Sequence, residues 1–296
     1  MKRLSILGLF AATALQALPL VNPADSVMYT NGICWHQGEN SRCFPSCDYD
    51  CWLDSFSMRF GLSGDYVFNR NIEVRHALVG GSGRLSPEGG DFMTTTIMTN
   101  AGTFCVNYAD WIEAYVGFGV TNFSISASSS IFAHENPILS VHDFSPTVSY
   151  LVGAAAPIWQ EGNFILGIQA QCFYAYPDAN CSFTHQLGTL YYFSSGDRAK
   201  YFEYQGAIAM SYSFEYELLS IVPFGGIQFS GLSWNLSSIN NRLIDASTYF
   251  FPKAHEQQVV GWTIGTSMYL CNRGGVTAEA RFANEKALNV SGQLVF

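Results

Sequence analysis

Leu288-Asn289-Val290-Ser291-Gly292-Gln293-Leu294-Val295-Phe296 is the stretch whose reading decides the fold. Leu288, Val290, Gly292, Leu294 and Phe296 hold alternate positions, and Asn289, Ser291 and Gln293 hold most of the others. Side chains along a strand point to opposite faces in turn, so this stretch has one apolar face and one small or polar face. A strand that stops on an aromatic residue, with apolar residues on its face, predicts the closing strand of an outer-membrane barrel rather than the end of a soluble sheet.

The same alternation recurs upstream. Phe56, Met58, Phe60 and Leu62 alternate with Ser57, Arg59, Gly61 and Ser63. Comparable runs cover 112–121, 164–171, 207–216 and 260–270. Many of them exceed the five or six residues usual for a soluble strand. A strand tilted across a hydrocarbon band about 25 Å tall needs roughly ten residues, which these runs supply. Aromatic residues gather near run ends, at Tyr108 with Trp111, at Tyr174 and Tyr176, and from Tyr212 to Tyr216. Such clusters are expected of girdles at the two lipid interfaces.

Composition points the same way. Charged residues make up 12 % of the chain and aromatic residues 15 %. So few charges would struggle to cover a soluble surface. After Ala17 no apolar run approaches the length of a membrane helix, which leaves a closed barrel, whose lipid face takes every second residue. A net charge of −9, with no basic cluster, excludes nucleic acid as a partner.

Met1-Lys2-Arg3, the apolar run Leu4 to Leu15, and Leu15-Gln16-Ala17 read as a cleaved signal peptide over residues 1–17. Residues 18–54 form a Cys-rich segment, and residues 55–296 are assigned to the barrel. Ala109-Asp110, Gln160-Glu161-Gly162-Asn163 and Asn272-Arg273-Gly274-Gly275 read as tight turns. Connections near 79–91, 126–146, 177–200 and 235–257 are longer and more polar. Short turns on one rim and long loops on the other are usual in barrels. Dividing the barrel segment by strand and connection length predicts an all-β, transmembrane antiparallel β-barrel of about 12–16 strands.

Strand parity then selects the residues expected to line the pore. A charge on the lipid face costs about 2–4 kcal/mol at mid-membrane. Arg59, Glu113, Gln169, Gln171, Glu215, Glu279, Arg281 and Gln293 all lie on the polar side of their runs and are therefore expected to face the lumen. Charges of both signs there would bias which ions pass, or would pair with one another across the interior. Eight cysteines in an exported chain suggest disulfides: Cys34, Cys43, Cys47, Cys51, Cys105, Cys172, Cys181 and Cys271. Cys105 and Cys172 also read as buried thiols on strands. The Cys43-x3-Cys47-x3-Cys51 spacing is not a standard zinc pattern. No cofactor, metal or catalytic residue is expected: His142-Asp143 with Ser145 lacks any nucleophile elbow, and no histidines pair at i, i+4.

These residues carry a resemblance. Leu15-Gln16-Ala17 followed by Leu18 to Ala24, then Trp52-Leu53-Asp54-Ser55-Phe56-Ser57-Met58-Arg59-Phe60-Gly61 and Gly64 to Arg70, resemble the chlamydial major outer membrane porin family. Gly275 to Phe282 and onward to Phe296 is similar to its closing two strands, with weaker likeness over Trp111 to Thr121 and Trp159 to Gln171. This chain is shorter than a typical member, mainly in the four long loops, and its x3, x3 cysteine spacing differs from the family's tighter first step. The resemblance implies up to about 16 strands, a homotrimeric general-diffusion porin in the cell outer membrane, and disulfide links to itself or to other envelope proteins. Small hydrophilic solutes and ions would be in transit and lipid would surround it. Two rivals remain at this point: a structural envelope protein with a closed lumen, and an outer-membrane lipid hydrolase using His142 and Ser145.

Overall fold

The computed structural model describes residues 22–25, 56–79, 83–85, 92–108, 111–129, 138–186, 189–193, 198–216, 219–235, 249–256, 259–270 and 274–295. Residues 1–17, read above as a signal peptide, and Cys34, Cys43, Cys47, Cys51, Cys271 and Phe296 lie outside these residues, as does the side chain of Cys181. The described strands run β1 (Phe56–Val79), β2 (Gly83–Leu85), β3 (Phe92–Tyr108), β4 (Ile112–Ser129) and β5 (Ile138–Phe144). Then come β6 (Thr147–Glu161), β7 (Phe164–Ala175), β8 (Ala179–Gln186), β9 (Thr189–Phe193), β10 (Lys200–Tyr212) and β11 (Phe214–Glu215). The last are β12 (Leu219–Asn235), β13 (Tyr249–Glu256), β14 (Val260–Leu270), β15 (Gly274–Phe282) and β16 (Glu285–Val295).

Ten of these close a ring in the order β1-β3-β4-β6-β7-β10-β12-β14-β15-β16 and back to β1, every pairing antiparallel. The closing seam sets Phe60 opposite Leu294 and Tyr66 opposite Leu288. Closure removes the sheet edge, so backbone N–H and C=O groups are satisfied within the wall, as lipid demands. Most of the remaining strands extend the wall beyond the ring at the long-loop rim: β5 on β4, β8 on β5, β9 on β8, β2 on β1, and β13 between β1 and β12.

The ring holds fewer strands than the 12–16 expected. The reason is strand length: β1 has 24 residues, β4 has 18, and β3 and β12 have 17 each. Residues expected to form long loops are partly β-structure standing above the membrane, in β5, β8, β9 and β13. The expected turn at Gln160 to Asn163 forms, with Gly162 at φ 57°, a backbone conformation that glycine adopts without a Cβ clash.

Alternation sorts the wall into two faces. Met58, Phe60, Phe118, Ile208, Met210, Trp262 and Ile264 are exposed outward, while Ser57, Arg59, Glu113, Gln171, Ala207 and Thr263 are buried inside. Tyr108, Trp111, Trp159, Tyr212 and Tyr216 mark one girdle near the short turns. Phe118, Tyr150, Tyr204 and Phe202 mark the other, with Phe118 set edge-on to Tyr150 at 5.8 Å. One register shift breaks the alternation on β1 between Val67 and Arg70. Phe68 stays outside while Arg70 turns fully inward, the kind of re-aiming that β-bulges perform.

Orientation of the wall toward lipid is testable at Ile264, which lies outward in the middle of β14. Ile264→Lys should lower stability in bilayers or micelles by about 2–4 kcal/mol, read from urea unfolding followed by heat-modifiable electrophoretic mobility. An outward charge on a soluble sheet would change it by only a few tenths.

Candidate functional site

The interior is filled in three layers. At the short-turn rim the segment Asn22–Asp25 lies inside the ring, with Asn22, Ala24 and Asp25 all buried. Asn22 folds it: the side-chain Oδ1 accepts from the Ala24 N–H at 3.0 Å, and the Asn22 carbonyl accepts from the Asp25 N–H at 2.8 Å. This is the local turn that Asn favours. The Asn22 amide donates to Ser267 Oγ at 2.9 Å and to the Val222 carbonyl at 3.3 Å. Ala24 packs against Ile165, Val222 and Tyr269. A Cβ on Gly167 would stand 2.9 Å from Pro23 Cβ, so glycine there is what lets the segment approach β7.

The Asp25 carboxylate accepts two hydrogen bonds and faces a guanidinium, from three strands, and Arg59 also donates to the Asp25 carbonyl at 3.5 Å. Tyr269 hydroxyl donates to Oδ1, the Gln293 amide donates to Oδ2 at 2.9 Å, and the Arg59 guanidinium lies 3.7 Å from Oδ2. Arg59 also pairs with Glu113. Beside this group lies a cavity of about 50 Å³ that Asp25, Cys105, Glu113, Tyr115, Gln171 and Gln293 help to line. A second, of about 10 Å³, touches Pro23, Gly167 and Gln169. A water needs about 10–15 Å³, so these two spaces hold a few waters at most.

The middle layer is a belt of amides and ion pairs. Gln169 donates to Tyr115 at 2.5 Å, Tyr115 donates to Gln171 at 2.8 Å, Gln171 to Gln205 at 2.8 Å, and Gln205 to Gln228 at 2.7 Å. Gln228 donates to Asn284 at 2.9 Å, and Asn284 to Ser230 at 2.8 Å. Each amide accepts through its carbonyl and donates through its nitrogen, which lets the chain cross from strand to strand. Opposite it, Arg281 pairs with Asp65, with Glu285 at 2.5 Å and with Glu279 at 3.6 Å. Arg70 meets Glu203 at 2.8 Å and Glu285 at 3.6 Å, and Tyr201 donates to Glu203 at 2.6 Å. Among the described residues, the carboxylates Asp25, Asp65, Glu113, Glu203, Glu279 and Glu285 face the guanidinium groups of Arg59, Arg70 and Arg281. The described interior is therefore acidic on balance.

The third layer, toward the long-loop rim, is aromatic. Trp234 stands edge-on to Tyr201 at 4.8 Å and to Phe123 at 5.1 Å, and Phe144 lies 5.6 Å away. Ile72, Ile97 and Ile125 are buried around them. A ten-stranded ring lies nearer the eight-stranded barrels that side chains fill than the porins of about 16 strands or more that leave a water channel.

Of the residues selected by parity, Arg59, Glu113, Gln169, Gln171, Glu279 and Arg281 are buried inside the ring, and Gln293 is partly buried against Asp25. Arg59 and Glu113 meet, as do Gln169 and Gln171, and Arg281 and Glu279. Glu215 is the exception. It is exposed in the short β11, opposite Ser220, between the girdle residues Tyr212 and Tyr216 and next to a hairpin tip. Parity fails there because the strand has reached the interface, where both faces are exposed. The disulfide reading fails for Cys105 and Cys172, which are free thiols. Cys105 is buried toward the lumen with Arg59 parity, whereas Cys172 is half-buried with the outward residues of β7, so the wall separates them.

Asp65 and Glu203 were within reach of parity, since they continue the inward positions of Arg59 and Gln205. Arg70 was not, because the bulge changes its side. Nothing in the residues signalled that Asn22–Asp25 enters the ring.

The ion-pair belt yields a direct test. Arg281→Met leaves three buried carboxylates without their shared cation, and stability should fall by about 3–5 kcal/mol. Urea unfolding of the refolded barrel measures it. Partial recovery in Arg281→Lys would assign the loss to the missing charge rather than to altered packing.

The profile of a family described as Chlamydia major outer membrane protein matches residues 1–80. The major outer membrane porin of Chlamydia pneumoniae is 24 % identical over 379 aligned positions, covering 96 % of this chain and 95 % of that one. The serovar F major outer membrane porin of Chlamydia trachomatis is 23 % identical, covering 98 % and 97 %. Among solved structures, the outer membrane protease OmpT of Escherichia coli matches 81 % of this chain and 96 % of its own at 11 % identity, with a TM-score of 0.42, too loose a likeness to carry an argument. The matches to the porins run from end to end, and their alignments are longer than this chain of 296 residues. Along nearly its whole length the chain is similar to the chlamydial major outer membrane porins, and it is seated in the cell outer membrane.

Proposed function

We propose that the chain is a porin of narrow lumen that passes small hydrophilic solutes and ions passively, with cations favoured and without catalysis. The observation that carries this reading is the acidic belt inside the ring, where six carboxylates face three guanidinium groups among the described residues. Surplus negative charge in a low-dielectric lumen attracts cations and repels anions. Kinship with proteins named major outer membrane porins supports the channel itself. The filled interior supports passage by rearrangement of side chains and of the Asn22–Asp25 segment rather than through a wide standing pore.

A second reading rests on the same filling: a structural envelope barrel whose lumen stays closed. Planar-bilayer recording of the refolded protein separates the two. The porin reading expects small, discrete conductance steps with a reversal potential on the cation side, shifted toward zero selectivity in Glu203→Gln/Glu279→Gln. Silence at all voltages favours the structural barrel.

Cys34, Cys43, Cys47 and Cys51 precede β1, and we assign them a mixture of disulfides within the chain and to neighbouring envelope proteins, with a homotrimer as the working assembly. Non-reducing electrophoresis of native envelopes should give species larger than the monomer that collapse on reduction. Monomer alone without reductant would remove the cross-linking role.

A further inference from the structure

Asp25 is placed as a bound ligand would be. Its carboxylate is received by a phenol from β14, an amide from β16 and a guanidinium from β1, all aimed into the short-turn mouth of the ring. That mouth faces the periplasm in outer-membrane barrels. None of the three donors belongs to the segment that carries Asp25. The segment is also held by contacts that do not involve the Asp25 carboxylate: Asn22 on Ser267 and Val222, Ala24 among Ile165, Val222 and the Tyr269 side chain, and Arg59 donating to the Asp25 carbonyl at 3.5 Å. The Asp25 carboxylate can thus leave its donors without undoing the strap's other contacts, and a cavity of about 50 Å³ already adjoins it.

We propose that Arg59, Tyr269 and Gln293 form a binding site for the carboxylate group of small organic acids at the periplasmic mouth, occupied in this state by the chain's own Asp25. A monocarboxylate the size of acetate reproduces the acceptor atoms of the Asp25 side chain and its charge. It leaves the charge balance around Arg59 and Glu113 unchanged. It does not replace Asn22, Pro23 or Ala24, so its binding releases the Asp25 side chain and leaves the strap with its remaining contacts. A ligand shifts such an equilibrium only by its preference for one state, and here the preference is absolute, because the acid and Asp25 compete for one set of donors. The acid therefore loosens the strap at the mouth by removing its carboxylate anchor, and is not the preferred cargo of an acidic lumen. This last consequence rests on the porin reading; the site itself does not.

The test is calorimetry on the full mature chain refolded in micelles, titrated with sodium acetate against a sodium chloride control. Asp25→Ala empties the acceptor position. Ala24→Asp places a charge among Ile165, Val222 and Tyr269 and undocks the strap with all three donors intact. Heat-modifiable mobility identifies which variants form the barrel. Saturable acetate binding is expected in either variant, roughly tenfold or more weaker in the unaltered chain, and roughly tenfold weaker again when Tyr269→Phe is added to Asp25→Ala. Folded variants that show no saturable acetate heat, equal binding by the unaltered chain, or indifference to Tyr269→Phe would each overturn the proposal. Binding is read here without any current. A silent bilayer with acetate binding intact would remove the porin and keep the site, and conductance without binding would do the reverse.

Discussion

The seam between β1 and β16 is the interaction on which the rest depends. In lipid an unpaired strand edge exposes a row of backbone groups with no partner, each costing several kcal/mol. Pairing Arg59 through Arg70 with Val295 through Glu285 removes the edge and fixes which side of every strand is inside. Once the ring is closed, a charged side chain has a wet or paired side and a lipid side, and the difference of about 2–4 kcal/mol sorts the residues. The outward face is left to aromatic and aliphatic side chains, and the inward face takes the arginines, carboxylates and amides below an aromatic layer.

Width then decides what those inward residues do. In a large barrel they border water and each is hydrated. Here the ring is narrow enough for β1, β15, β16 and β10 to share one set of contacts, so Arg281 meets Asp65 across the seam and Arg70 meets Glu203 across the interior. Buried pairs of this kind add little net stability over apolar packing of equal volume, yet losing one partner is costly. They hold the interior in one arrangement without making it inert. An amide ladder from Tyr115 to Ser230 does the same for the other half of the wall.

The class of fold was legible because a period of two survives in almost every strand, and because lipid makes the penalty for breaking it large. The lumen face was legible for the same reason at Arg59, Glu113, Gln169, Gln171, Glu279 and Arg281. What escaped was whatever does not obey a period. Glu215 lies within the girdle beside a hairpin tip, where hydrocarbon no longer enforces parity. Arg70 follows a bulge. Strand count escaped because a strand continuing above the membrane carries the same polar residues as a loop. The Asn22–Asp25 contacts escaped entirely, since Asn-Pro-Ala-Asp reads as a turn wherever it lies, and only distant residues such as Val222, Ser267 and Tyr269 give it a place.

That place also has a temporal meaning. Asn22 and Asp25 precede every described strand, yet apart from Arg59 of β1 their polar partners belong to β12, β14 and β16. Contacts between such distant positions form late, because the intervening loop must be closed before they are gained. The strap therefore has no seat until the final strands are in register. Its seating reports that assembly is complete, and a barrel stalled before the seam would hold its mouth open.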